Sequence, residues 1–83
     1  MTVADRILSI ISSEMDVPVS DLRLETSLHD DLGADDYDRL AIEHEIERVF
    51  DFEIPDEDAE GFRTVGDLVR CVERRMSVGE SVG

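Results

Sequence analysis

The sequence has no tryptophan, one cysteine and two prolines, and aromatic residues make up only 5% of its 83 positions. With a single thiol, Cys71, no intramolecular disulfide framework can form, which fits a reducing, cytoplasmic setting. No apolar run approaches the ~20 residues of a transmembrane helix. The start shows no basic region leading into an apolar stretch and a cleavage site, so no secretory leader is expected. Lysine is also missing, and eight arginines face twenty-two acidic residues for a net charge of −14. Nucleic-acid phosphates would repel such a chain, and so would an anionic membrane surface. Basic protein surfaces would attract it and speed its approach.

What is present reads as one small all-α domain over residues 1–76, with a short polar tail over 77–83 expected to fray. The spacing predicts a first helix from Val3 to Met15. Thr2 is placed as its N-cap and Asp5 as the capping-box partner, and Val3, Ile7, Ile10, Ile11 and Glu14 share one side. Pro18 stops it. A long connection from Asp16 to Asp35 follows, where several of Val17, Val19, Leu22, Leu24, Leu28 and Leu32 are expected to pin the chain onto the helices. A second helix begins at Asp36 behind the N-cap Asp35, with Asp38 three residues on, and runs to about Phe50. At 100° per residue Ile42, Ile46, Val49 and Phe50 make a core face. Tyr37, Leu40, Ala41 and His44 fall nearly opposite and form an outward stripe suited to a partner, unless the long loop covers the Tyr37 end. A short acidic segment over 56–60, the anchor Phe62, and a last helix capped by Thr64 and Asp67 complete the chain. The last core stripe is Val65, Leu68, Val69, Val72 and Met76, with Cys71 half-buried on its flank. Arg70, Arg74 and Arg75 gather at the end of this helix, where a positive charge is favoured.

Three blocks carry a family resemblance. Asp30-Asp31-Leu32-Gly33-Ala34-Asp35-Asp36-Tyr37-Asp38 resembles the signature of acyl carrier proteins, which runs from acidic residues into Leu-Gly-Ala-Asp-Ser-Leu-Asp. Residues Glu47 to Glu60 look like that family's passage from second to third helix, and Thr64-Val65-Gly66-Asp67-Leu68-Val69 like the opening of its fourth. The resemblance spans Val3 to Arg74 and implies a four-helix bundle of three longer helices and one short one, with a long first loop. It also implies a carrier: a phosphopantetheine arm on the signature serine holds a thioester, and the second helix docks on basic patches of the enzymes served.

The serine itself is absent. Asp36 stands at its position and Tyr37 follows, and a carboxylate cannot form the phosphodiester that holds the arm. Ser27, Thr64, Ser9, Ser12 and Ser13 all lie away from the start of the second helix. Glu43 and Glu45 flank the Ile42/Ile46 stripe, with Arg39 and Arg48 in reach as partners, which argues against a generous acyl pocket unless both glutamates simply face solvent at the edges of the helix. The expected function is therefore a non-covalent docking or regulatory module for acyl, fatty-acid or polyketide-type enzymes. It is expected to be monomeric, to lack a cofactor, and to present Asp35, Asp36, Tyr37, Leu40, Ala41, His44 and Glu47 to basic surfaces. The alternative is a genuine carrier whose serine has been substituted or whose arm sits on another hydroxyl. Acidic clusters at Asp30, Asp31, Asp35, Asp38 and at Asp56, Glu57, Glu60 allow weak neutralisation by divalent ions, without the spacing of a dedicated metal site. No nucleophile and base fall at a catalytic spacing, so no enzymatic activity is expected.

Overall fold

A computed structural model describes the backbone of residues 2–82 and the side chains of residues 2–76. Helices α1 (Val3–Met15), α2 (Asp36–Phe50), α3 (Asp56–Ala59) and α4 (Val65–Val82) follow one another, with a 3-10 turn at Val19–Asp21. Helical backbone thus continues through the stretch where a frayed tail is expected, while Gly83 and the side chains of 77–82 lie outside the described residues.

Local chemistry sets the helix ends. Thr2 Oγ1 accepts the Asp5 N–H at 3.1 Å and Asp5 Oδ2 accepts the Thr2 N–H at 3.2 Å. This reciprocal pair satisfies donors that no helical carbonyl can reach. Asp35 and Asp38 repeat the device at α2, and Thr64 and Asp67 repeat it at α4. Helices α1 and α2 also end alike. Asp16 and Asp51 each take a left-handed conformation with φ 57°, which short polar side chains tolerate better than most. Their N–H groups close onto the Ser12 and Glu47 carbonyls.

Helix α1 packs against both α2 and α4. Its Ile7, Ile10 and Ile11 meet Ile42 and Ile46 of α2 and Val65, Leu68, Val69, Cys71 and Val72 of α4 in one buried cluster. Leu22, Leu28, Ala34, Ile54 and Phe62 from the connections close it. Burying an aliphatic side chain of this size contributes roughly 1.5–3 kcal/mol. Several expectations are corrected by the packing. Met76 lies outside the core, Glu14 faces solvent, and Cys71 is buried; in the loop Leu22 and Leu28 are buried and Val17 and Leu32 pack against the core, while Val19 and Leu24 stay exposed.

The long first loop is sewn to the start of α4 by its own backbone. The Val65 N–H donates to the Thr26 carbonyl at 3.0 Å, the Gly66 N–H to the Leu24 carbonyl at 2.8 Å, and the Leu28 N–H to the Arg63 carbonyl at 2.9 Å. Ser27 and Thr64 pair in an isolated antiparallel bridge. A Cβ on Gly66 would lie 3.1 Å from the Leu24 carbonyl oxygen, so this close approach favours glycine. Among the described residues no helix is long and apolar enough to cross a membrane.

Candidate functional site

The turn that leads into α2 is closed by its own side chains. Asp31 Oδ2 accepts the Ser27 N–H at 2.7 Å, and Ser27 Oγ accepts the Asp30 N–H at 2.9 Å. Gly33 takes φ 70° and donates its N–H to the His29 carbonyl. Ala34 is buried, and its N–H reaches the Leu28 carbonyl at 2.8 Å. This fixed turn sets where α2 begins and which way its first side chains point.

Asp36 is the first residue of α2, and its side chain is fully exposed. Its nearest cation is Arg39 Nη1 at 3.8 Å, a contact that water screens heavily. Tyr37 is 79% exposed and Leu40 50% exposed, so the loop does not cover the Tyr37 end. His44 is exposed and Ala41 half-buried on the same outward side, while Ile42 and Ile46 point into the core. The structure thus brings Asp35, Asp36, Tyr37, Leu40, Ala41 and His44 onto the solvent side of one helix.

Glu47 is placed differently. It is half-buried, and its Oε2 accepts the Ile54 N–H at 2.7 Å. It therefore ties the connector after α2 back to the helix, and only the rest of its carboxylate remains for a partner. The helical spacing alone carried no signal of this seven-residue return.

Arg39 is the residue that sequence reasoning undervalued. Its Nη2 donates to the Ala59 carbonyl at 3.3 Å, bridging α2 to α3. Its Nε is buried and has no hydrogen-bond partner among the described residues. A shallow groove between α2 and α3 is lined by Asp36, Arg39, Leu40, Glu43, Asp56, Ala59 and Glu60. Burial pushes the Glu43 carboxyl above its usual range, and the Arg39 guanidinium works against that shift. Glu45 instead pairs with Arg48, and that hydrogen bond holds its carboxyl below the usual range. The two glutamates beside the core stripe therefore differ: one is partly desolvated next to Arg39, the other is paired at the surface.

The hydroxyls lie elsewhere. Ser12 Oγ donates to the Val17 carbonyl. Thr26 is buried, and its Oγ1 accepts the Arg23 N–H at 2.8 Å. Thr64 is taken up as a cap. In the first turn of α2 the only hydroxyl is that of Tyr37. Among the described residues no three His, Cys, Asp or Glu side chains converge as a metal site.

Two comparisons bear on this arrangement. Residues 5–72 match the family described as "Phosphopantetheine attachment site". The fold is similar to the solved structure of an acyl carrier protein from Enterococcus faecalis, with a TM-score of 0.71, 34% sequence identity, and coverage of 84% of this chain and 89% of that one. The family match runs through the turn at Gly33, the start of α2 and the first eight residues of α4, and carrier domains of this type are not enzymes themselves. The chain belongs to the acyl carrier protein family.

Proposed function

We propose that this carrier-type domain works without a covalent arm, as a docking or regulatory module for enzymes of acyl, fatty-acid or polyketide chemistry. The observation that carries the reading is the fully exposed Asp36 carboxylate at the first position of α2, beside the exposed Tyr37 and Leu40. A phosphodiester needs a hydroxyl oxygen, and Asp36 has none to give. Its carboxylate does supply negative charge at the place where the family carries a phosphate. A net charge of −14 draws the domain toward basic surfaces. Tyr37 and Leu40 then provide apolar contact at the centre of an acidic rim formed by Asp35, Asp36 and part of Glu47, with Ala41 and His44 alongside. The partners are enzymes with a basic, partly apolar docking surface, and the domain acts as a monomer in the cytoplasm.

The second reading, a genuine carrier, is favoured by the family description itself, and in it phosphopantetheine is the cofactor. One experiment separates the two. Intact mass is measured before and after incubation with coenzyme A and a broad-specificity phosphopantetheinyl transferase. The protein is expected to gain nothing, while Asp36→Ser is expected to gain one phosphopantetheine. A gain by the unaltered protein would overturn the docking-only reading, and fragmentation would then locate the hydroxyl that carries the arm.

A further inference from the structure

The chain is strongly acidic, yet it carries a locally positive groove with largely apolar walls. It lies beyond the C-terminal end of α2, where the connector to α3 faces α4, and is lined by Phe52, Pro55, Asp58, Cys71, Arg74 and Arg75. Two guanidiniums against one carboxylate leave a local charge of +1 in a molecule of −14. The rest of the lining is apolar. The Arg75 guanidinium sits over the Phe52 ring at 5.6 Å from its centroid, Pro55 forms part of the wall, and Cys71 is buried among them. Neither Arg74 nor Arg75 makes an ion pair among the described residues. Apolar walls with a few convergent charged groups are the usual composition of a small-molecule site.

We propose that this groove binds a small apolar carboxylate, with the hydrocarbon tail against Phe52, Pro55 and Cys71 and the carboxylate on Arg74 and Arg75. Its volume of about 240 Å³ sets the size, since drug-sized ligands occupy roughly 300–1,000 Å³. A medium-length chain fits that space better than a long one. The head group follows from charge. A guanidinium grips a carboxylate through two parallel hydrogen bonds. A monoanion is also repelled by the acidic remainder of the molecule only half as strongly as a doubly charged phosphate. The site is separate from the exposed face at the start of α2, so it adds an effector position to the domain whatever docks there.

Cys71 is the only thiol and serves as a built-in reporter. Burial pushes its thiol up, Asp58 adds to that, and Arg74 and Arg75 oppose it. An anion placed on the two arginines removes their help and shields the sulfur, so alkylation slows. The test titrates octanoate, octylamine and octanol into the protein at fixed ionic strength. Amide NMR shifts and the rate of Cys71 alkylation by iodoacetamide are followed together. Octanoate is expected to saturate, to shift amides around Phe52, Asp58, Cys71 and Arg75, and to slow alkylation. Arg74→Gln and Arg75→Gln, both at exposed positions, are each expected to weaken it on the order of tenfold, the equivalent of one charge-assisted hydrogen bond. Circular dichroism checks that both variants keep the fold. Octylamine or octanol binding as tightly as octanoate would overturn the proposal, because the head group would then not be recognised. So would non-saturating shifts, or shifts confined to α2.

Discussion

Helices α1 and α2 are built by the same local devices. Each opens on a reciprocal capping box and closes on a left-handed aspartate, Asp16 or Asp51. Each also points isoleucines into the shared core: Ile7, Ile10 and Ile11 from one, Ile42 and Ile46 from the other. They differ on the far side. The outer side of α1 carries polar residues such as Arg6, Ser9 and Ser13, whereas α2 exposes Tyr37 and Leu40 beside Asp36. Nothing in the capping or the core requires those two side chains outside. The comparison separates what makes a helix stable here from what makes one available to another protein.

The largest expected effect tests the half that the helices share. Ile11→Ala and Ile46→Ala each remove a side chain with no exposure, and each is expected to cost about 2–5 kcal/mol in urea unfolding. A much smaller loss at Ile46 would mean that α2 is held less by the core than α1 is. The next effect tests the half that differs. Tyr37→Ala and Leu40→Ala should leave stability within about 0.5 kcal/mol, while weakening association with a docking enzyme by about 2 kcal/mol or more, as buried interface anchors do. Calorimetric titration against a candidate enzyme reads this directly. Affinity unchanged from that of the unaltered protein in both variants would remove α2's outer face from the docking surface.

Caps come third. Thr2→Ala and Asp35→Ala should each cost about 1 kcal/mol, and thermal melts that differ strongly between them would show the two boxes to be unequal. The third box adds a pH signature. N–H donation from Arg63 and Thr64, with help from Arg70, holds the Asp67 carboxyl below its ordinary value of 3.8 although burial works against it. Its contribution is therefore complete above that value and lost as the pH falls through the folded-state titration. Asp67→Asn should destabilise the fold near neutrality and matter little in strong acid. The smallest effect belongs to Glu43. Burial raises its carboxyl above 4.5, so the proton favours the folded state and stability falls as the pH rises past that value. Glu43→Gln should flatten this decline and slightly stabilise the protein at neutral pH, as melts across a pH series would show.

Much of this architecture was legible in the sequence because helices announce themselves twice, in periodicity and in caps. Thr2, Asp35 and Thr64 mark the starts of α1, α2 and α4, and the isoleucine spacing marks what lies inside. The loop was less legible. Val19 and Leu24 are apolar but exposed, while Thr26 and Ala34 are buried. Irregular backbone has no period from which to infer direction, and burial there follows from where backbone hydrogen bonds pull the chain. At the candidate site, the sequence identified the exposed residues of α2 by angle alone. It could not show that Arg39 reaches Ala59 or that Glu47 turns back to Ile54. Both are long side chains whose partners lie in other segments, and helical spacing describes only the segment that carries them.

The seam between the first loop and α4 has a consequence for the order of folding. The first N–H groups of α4 are satisfied by the carbonyls of Leu24 and Thr26, residues some forty positions earlier in the chain. A turn of α4 can nucleate alone, but its leading end is complete only when the loop arrives, and closing so long a segment costs entropy before any contact repays it. The seam should therefore form late, after α1 and α4 have collapsed together. Changes at Thr26 or Gly66 should then speed unfolding far more than they slow refolding, leaving the kinetic lifetime of the native state in the hands of a loop.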